Sequence, residues 1–503
     1  MEMFAIGFAQ VFNISSLCWI MAGVLLGIIF GCIPGLTGSI ALALCLPLIY
    51  TLDIIQSMCL IMGIYIGGCS GGLISAILIN VPGTPSNIAT SFDGHPMAAK
   101  GEAGKALGTG IFYSFLGGTF SFIILFAIAG PLGRVAVQMG KGNLFALTFF
   151  ALTLVSGLCG KSILKGLTMA LIGMALSMIG ISAVDGTPRL TMGLRELNAG
   201  LQIIPALIGL YAVSELIKST AKAQKLQKVN TDFKIKGFGF TWQEFKEQLG
   251  NFFRSALIGT GIGILPGIGG MTSNLLAYMA AKNSSKTPEK YGTGYIGGIV
   301  APETANNASV GGAMVPLLAL GIPGDGFTAV VLGALMLQGL TPGPLFMIKS
   351  ANVAYAIFAA LIIANIFTIF VEYFFIRGFV RLLSVPKHVL MSVVIVLAMV
   401  GAFGINNRIF DAWTVLFFGV LGYLVTKLDF PLTPLILGLI LGADCEEYLR
   451  IALQITKGSF FEMCKDPVTL VFLLLSVASI ALAPRMVRRA NKGPEGKELK
   501  EDD

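Results

Sequence analysis

A Pro-Gly pair recurs in this chain inside apolar sequence that would otherwise read as unbroken helix. GIIFGCIPGLTG covers 27–38 and GTGIGILPGIGG covers 259–270. Setting Pro34 on Pro266, an offset of 232 (266 − 34), matches five of the twelve positions: Gly27/Gly259, Gly31/Gly263, Pro34/Pro266, Gly35/Gly267 and Gly38/Gly270. A second Pro-Gly follows each, in GGLISAILINVPGTP (71–85) and GGAMVPLLALGIPGDG (311–326). Proline removes a backbone donor and clashes with the preceding turn, so each pair should interrupt a helix. Lipid tolerates such an interruption only where protein or a water-lined cavity hides it. Breaks at matching places in two halves are the pattern of a membrane transporter's binding site.

The rest of the sequence supports a membrane setting. Of 503 residues, 55% are hydrophobic and 12% charged, with mean hydropathy +0.84; soluble domains carry about 25% charged residues. Apolar spans are expected near 14–33, 36–50, 54–80, 107–130, 143–159, 163–184, 200–217, 252–281, 292–320, 326–348, 351–376, 389–403, 412–427, 431–443 and 468–484. Some are short or broken, which leaves about ten to thirteen crossings. The net charge of +8 does not signal nucleic acid, because the basic residues gather in connecting segments. Lys218, Lys222, Lys225, Lys228, Lys234 and Lys236 form one group, and Arg485, Arg488, Arg489 and Lys492 another. The positive-inside rule places both on the cytoplasmic side. The start lacks the basic segment of a signal peptide, so none is expected. Eight cysteines are scattered without a CxxC pair; Cys32, Cys59 and Cys69 read as small packing residues rather than disulfides or metal ligands.

The expected fold class is an all-α polytopic membrane protein. Two structurally related halves, arranged as inverted repeats with broken or re-entrant helices, would be joined by C-terminal framing helices. Along the chain this divides into a first membrane half (1–217, breaks at 34–35 and 82–83) and a basic cytoplasmic linker with an amphipathic segment (218–250). A second half follows (251–350, breaks at 266–267 and 323–324), then C-terminal transmembrane helices (351–484) and a disordered tail (485–503). The stretches 91–108 and 337–344 read as loops. Gly23, Gly27 and Gly31, answered by Ser255, Gly259 and Gly263, mark helix faces for close packing.

Small polar side chains follow each break: Thr37 and Ser39; Thr84, Ser86 and Asn87; Thr272, Ser273 and Asn274; and Asp325. A helix starting just after a break presents free N–H groups and its positive dipole end, an anion site that needs no lysine. The candidate substrate-binding set is therefore Pro34, Gly35, Thr37, Ser39, Pro82, Gly83, Thr84, Ser86, Asn87, Gly267, Gly269, Gly270, Thr272, Ser273 and Asn274. The simpler alternative for any one of them is that it caps a broken helix. GGIVAPETANNASVGG (297–312) places Glu303, Thr304, Asn306, Asn307 and Ser309 between apolar flanks. An acid within a span defaults to a functional role, so Glu303, Thr304, Asn306, Asn307 and Asp325 are candidates for coupling to a cation or proton. Glu303 could instead cap a broken helix, satisfied by backbone N–H groups. Cationic candidates are few: Lys100 and Lys105, near His95 and Asp93. The histidines, His95 and His388, are too few and too far apart for a metal site. No metal or organic cofactor is expected; a coupling ion, Na+ or H+, is.

Three enzyme-like signals fail. Gly160-Lys161-Ser162 lacks the phosphate-loop glycine at 155, where Val155 stands. The glycine run at 259–270 breaks the dinucleotide fingerprint. Gly324-Asp325 resembles part of an intramembrane aspartyl protease element, but Ile322 occupies its glycine position. An intramembrane hydrolase using Asp325 is the alternative reading, and a passive channel a third.

With these breaks, FDGHPMAAKGEAGKALG (92–108), GIGILPGIGG (261–270), APETANNASVGG (301–312) and LGIPGDG (320–326), the chain resembles the large permease subunit of the tripartite tricarboxylate transporters, the TctA type. The match runs from about Gly23 to at least Pro344. The resemblance implies a bacterial inner-membrane, cation-coupled secondary importer of organic carboxylates. Citrate is the archetype, and related di- and aromatic carboxylates occur. It also implies a small membrane subunit (TctB type) and a periplasmic substrate-binding protein (TctC type), with no nucleic acid partner. Two positions depart from the family pattern: His95, where aromatics are common, and Asp325, where small polar residues are frequent.

Overall fold

A computed structural model describes residues 2–158, 162–221, 237–382 and 387–491. Its helices, numbered along the chain, begin with α1 (Glu2–Val11), α2 (Ile14–Cys32), α3 (Gly38–Thr51), α4 (Ile54–Ile79), α5 (Ile88–Met97), α6 (Ala103–Val137), α7 (Lys141–Leu158) and α8 (Ile163–Ser177). A two-residue hairpin follows, β1 (Gly180–Ile181) and β2 (Pro188–Arg189). Then come α9 (Ile203–Ile208), α10 (Ser214–Ala221), α11 (Trp242–Ile264), α12 (Gly269–Asn283), α13 (Gly297–Leu320), α14 (Gly326–Leu337) and α15 (Phe346–Lys349). The chain continues through α16 (Ala351–Leu382), α17 (Lys387–Asn406), α18 (Ile409–Lys427), α19 (Leu432–Ile455), α20 (Phe460–Met463) and α21 (Pro467–Asn491). Packing groups them into two units: 1–136 with 207–420, and 137–206 with 421–503.

In the first unit the breaks set the plan. Asn13 caps α2 by accepting from Ser16 N–H, and a Thr241–Glu244 capping box starts α11. Both helices end two residues before their proline, at Cys32 and Ile264. Ile33 (φ −87, ψ 115) and Leu265 (φ −78, ψ 121) are extended, as the residue before proline must be. Gly35 and Gly267 then turn the chain at φ +88 and φ +74, a region that side chains avoid.

Glycines show which way the chain goes next. A Cβ on Gly23, Gly27 or Gly31 would lie 2.3, 2.5 or 2.6 Å from the carbonyls of Leu60, Ile64 and Gly68. Each step of four on α2 is matched by four on α4, so the two run parallel in close contact. Between them α3 must return: Gly38 abuts Gly68, while Ser57 Oγ near the start of α4 donates to Ile49 O at the end of α3. The second half repeats this. Gly259 and Gly263 press on the carbonyls of Ala305 and Ser309, making α11 and α13 parallel. Here α12 returns, with Gly270 beside Asn306 and Ser273 Oγ bonded to Ala305 O. Each first Pro-Gly is thus the tip of a helical hairpin.

The second breaks correspond as well. α4 and α13 end in left-handed residues, Asn80 (φ 54) and Gly321 (φ 75), 241 apart (321 − 80), the offset of Pro82 and Pro323. A Cβ on Gly83 would meet Gly31 O, and one on Gly324 would meet Gly263 O. The two sets point in opposite directions. Gln338, after α14, donates to Ile49 O and Ser57 Oγ at the turn before α4. Ile77, near the end of α4, lies against Gly94 and His95 of α5, whose Met97 abuts Gly294 just before α13. So α4 starts where α14 ends and finishes near where α13 starts. Around this core, α16 packs on α1, α2 and α4, and α6 lays Gly117 on Thr304 O.

The second unit contains α7, α8, α19 and α21. Gly173 and Gly438 bring α8 and α19 into backbone contact. Its hairpin is tied by ion pairs: Arg450–Asp185 at 2.6 Å, Arg450–Glu446 at 3.2 Å and Arg189–Glu446 at 2.5 Å. The Arg450 guanidinium holds the Asp185 carboxyl below the usual range.

Among the described residues, five helical stretches are long and apolar enough to cross a membrane: Ile14–Cys32, Ile54–Ile79, Pro85–Val137, Ala351–Arg381 and Ile409–Lys427. This is fewer than the sequence suggests, because six further apolar helices have only 10–17 residues, α3 and α14 among them, each starting just after a break. The stretch 91–108 is not a loop. α5 runs into a π turn at 98–102, where Gly101 has φ +89, and α6 begins at Ala103. Its polar residues suggested a loop because Asp93 bonds inside the protein rather than to water. α21 continues to Asn491, beyond residue 485 where the sequence suggests the tail begins. Lys222, Lys225, Lys228, Lys234, Lys236 and the segment from Lys492 lie outside the described residues.

The glycine contacts yield a prediction. Gly27→Leu should destabilise the protein by about 2–3 kcal/mol through overpacking. Gly130→Leu in α6, where a Cβ meets nothing within 4 Å, should not. Thermal unfolding in detergent compares them; equal midpoints would contradict the packing.

Candidate functional site

The breaks and polar runs of the two halves converge on Glu303. This residue of α13 is fully buried, and its carboxylate accepts from three side chains of the other half. Asn87 Nδ2 donates to Oε1 at 3.0 Å, Thr90 Oγ1 donates to the same oxygen, and Ser114 Oγ donates to Oε2 at 2.9 Å. The acid is therefore held by side-chain hydroxyls and an amide, not by the backbone N–H groups of a helix cap. No lysine, arginine or histidine pairs with it among the described residues.

Prolines and polar residues shape α13 here. Pro302 and Pro316 sit inside the helix and remove two of its bonds. Asn307 Nδ2 bonds back to Glu303 O at 3.1 Å and Ser309 Oγ to Asn306 O at 2.6 Å, both within the helix. Asn306 reaches across the halves, donating from Nδ2 to Cys69 O at 3.1 Å. Its Oδ1, with Thr304 Oγ1 and Thr260 Oγ1, is buried without a hydrogen-bond partner. Asn306 Oδ1 lies beside Gly270 after the break, where a polar ligand or ion would satisfy it.

The post-break helices differ in how their ends are closed. Asp325 starts α14 with a capping box: its Oδ1 accepts from Thr328 N–H at 2.8 Å, and Thr328 Oγ1 accepts from Asp325 N–H at 2.8 Å. Tyr65 of α4 donates to its Oδ2 at 3.0 Å. The capping alternative thus holds for Asp325, and the bonds here bring it no second acid. Neither Thr37 at α3 nor Ile268 at α12 forms a side-chain cap, and Asp325 lies against Gly269 at the α12 start. Thr84 also leaves the turn at Pro85–Asn87 uncapped; its hydroxyl donates to Asn87 Oδ1 at 2.6 Å and orients that amide toward Glu303.

The starts of α3 and α12 each contact the opposite half. A Cβ on Gly38, first in α3, would meet the Phe327 ring, and one on Gly270, in α12, would meet Ser86 Oγ and Asn306 Oδ1. Asn274 of α12 accepts from Ala89 N–H at 2.9 Å and so serves α5 of the other half as a cap. The structure therefore brings together Gly83, Thr84, Ser86, Asn87, Gly270, Ser273, Asn274, Glu303 and Asn306, while Thr304 packs against Gly117 of α6. Pro34, Gly35, Pro82, Gly267 and Gly269 form the turns themselves, with Gly267 N–H donating to Gly324 O at 2.7 Å. Ser39 of α3 is buried and Thr272 of α12 is half-buried.

Other expected or unexpected groups lie apart. Lys100 donates to Thr293 O, Lys105 pairs with Glu244 at 2.6 Å, and His95 Nδ1 sits 3.1 Å from Ile77 O. Asp93, buried, accepts from the N–H groups of Gly292, Gly294 and Tyr295 and from Tyr278 OH, clasping α5 to the turn before α13. Thr90, Ser114 and Tyr65 were not legible as site residues. They are ordinary small or aromatic residues of apolar helices, and only the fold brings them to the acids.

The Glu303 contacts predict a stability difference. Glu303→Ala leaves the Asn87, Thr90 and Ser114 donors unpaired and should cost about 2–4 kcal/mol. Glu303→Gln keeps acceptors in place and should cost less than half of that. Thermal unfolding decides it; equal losses would mean that the three donors do not bind the side chain.

The model of the tripartite tricarboxylate transporter TctA family matches residues 17–437. An Agrobacterium vitis protein described as an uncharacterized 52.8 kDa protein in the TAR-I ttuC' 3' region is 33% identical over 479 residues, 95% of each chain. Another from the same organism, described as an uncharacterized protein in the TAR-II ttuC' 3' region, is 34% identical over 225 residues, covering 45% of this chain and 93% of its own. No solved structure matches. The chain belongs to the TctA family of tripartite tricarboxylate transporters.

Proposed function

We propose that this protein is a cation-coupled secondary importer of organic carboxylates in a bacterial inner membrane. A periplasmic binding protein would deliver the substrate, and a small membrane subunit would complete the complex. The observation that carries the reading is the pair of uncapped helix starts, α3 and α12, each pressed against the opposite half. Their N–H groups and dipoles favour carboxylate groups without a lysine, while the capped, acid-bearing start of α14 does not. Thr37, Ser39, Thr272 and Ser273 would supply further donors. Glu303 and the unpaired oxygens of Thr304 and Asn306 would serve the coupling cation.

The two halves act as inverted repeats in this reading. Support comes from the equivalent contacts of Gly83 and Gly324, together with the opposite directions of α4 and α13. Exchange of roles between two oppositely oriented units is the usual basis of alternating access about a midplane site.

Reconstituted protein with its binding protein should accumulate labelled carboxylate, from a panel of di- and tricarboxylates, only under a cation gradient. Uptake that never exceeds equilibrium would contradict coupling. Gly35→Val and Gly267→Val should insert normally yet abolish uptake, since a β-branched residue at φ near +80 strains the turn by about 1–3 kcal/mol. Normal transport by either variant would remove the hairpin tips from the site.

A further inference from the structure

Glu372 lies on α16, a helix to which the sequence assigns only a framing role. It is 1% exposed and about 15 Å along the helix from Leu382. Ser70 Oγ of α4 donates to its Oε2 at 2.9 Å, and its Oε1 is buried with no hydrogen-bond partner. Glu303, by contrast, has three donors over two oxygens. A buried carboxylate with a bare oxygen and no counter-ion bears nearly the whole desolvation cost of its charge, and a proton removes that charge.

The surroundings select a proton over a metal ion. A hard cation needs several oxygen ligands, and Ser70 Oγ is the one side-chain oxygen bonded to this carboxylate among the described residues. Cys32 faces it from α2, Ser70 bonds it from α4, and Glu303 on α13 bears on it as a like charge. α1 meets the far end of α16, at Tyr355. Arg377, five residues further along, is exposed and otherwise engaged. The location also connects to the breaks. Ser70 follows Cys69, whose carbonyl accepts from Asn306, the residue with an unpaired Oδ1 beside Gly270.

We propose that Glu372 is the proton-carrying residue of the transport cycle, protonated in this conformation and deprotonated in another. The proposal rests on the import reading above. In the step, the carboxylic O–H bond breaks, its electron pair stays on the carboxylate, and the proton passes to water; the return step reverses this.

The test uses full-length protein in lipid. Infrared difference spectra between acid and alkaline pH should show the C=O stretch of a protonated carboxylic acid. That band should vanish in Glu372→Gln, persist in Glu303→Gln and shift in Glu372→Asp. A band unchanged in Glu372→Gln overturns the proposal. In proteoliposomes supplied with binding protein, Glu372→Gln should still exchange labelled for unlabelled carboxylate, while accumulation driven by a pH gradient falls roughly tenfold or more. Glu372→Asp should recover part of it. Undiminished accumulation in Glu372→Gln also overturns the proposal. If the wild type moves no carboxylate at all, the import reading fails and the coupling role with it. The infrared result still decides where the proton resides.

Discussion

A helix broken inside a bilayer exposes N–H and C=O groups that lipid cannot satisfy, and the first unit is organised around hiding four such breaks. Each first break becomes a hairpin tip because α2 and α4, and α11 and α13, run parallel with glycines against carbonyls, leaving α3 and α12 to return beside them. Each second break folds back onto the same partner helix, with Gly83 over Gly31 O and Gly324 over Gly263 O. The close backbone approach is thus a condition for the breaks, since a side chain at those glycines would open the interior that shelters them.

The same enclosure decides the electrostatics. Lys100 and Lys105 are engaged at helix ends away from the breaks. Negative charge inside the unit is instead met by hydroxyls, amides and helix starts. Glu303 receives three donors, Asp325 is held by its own cap and by Tyr65, and Glu372 has one donor. Asp325 closes its own helix start, whereas Glu303 is held by donors from other helices and Glu372 keeps one bare oxygen. In the proposed function, the starts of α3 and α12, which lack a side-chain cap, are where an anionic ligand would gain most.

The helix breaks were legible in the sequence because proline and glycine act locally. The residue before Pro34 or Pro266 is forced out of the helix, and Gly35 and Gly267 take the turn, whatever the surroundings. Glycine spacing likewise announced the α2 and α11 faces. Asn87, Glu303 and Asn306 could be picked out as polar residues in apolar sequence. Their partners could not: Thr90, Ser114 and Cys69 reach them over long separations, which periodicity does not encode. The helical state of 91–97 was hidden because Asp93 finds its donors on the turn at 292–295. Glu372 carried a usable signal, an acid within an apolar span, though no Pro-Gly pair stands near it in sequence.

The central claim is that the two hairpin tips, from opposite halves, form one carboxylate site. A density map of the protein loaded with a transported carboxylate in lipid tests it most directly. The account predicts the ligand's carboxylate groups at the starts of α3 and α12, within reach of Ser39 and Gly270. A ligand bound instead against Lys100 and Lys105, or within the second unit, would contradict it.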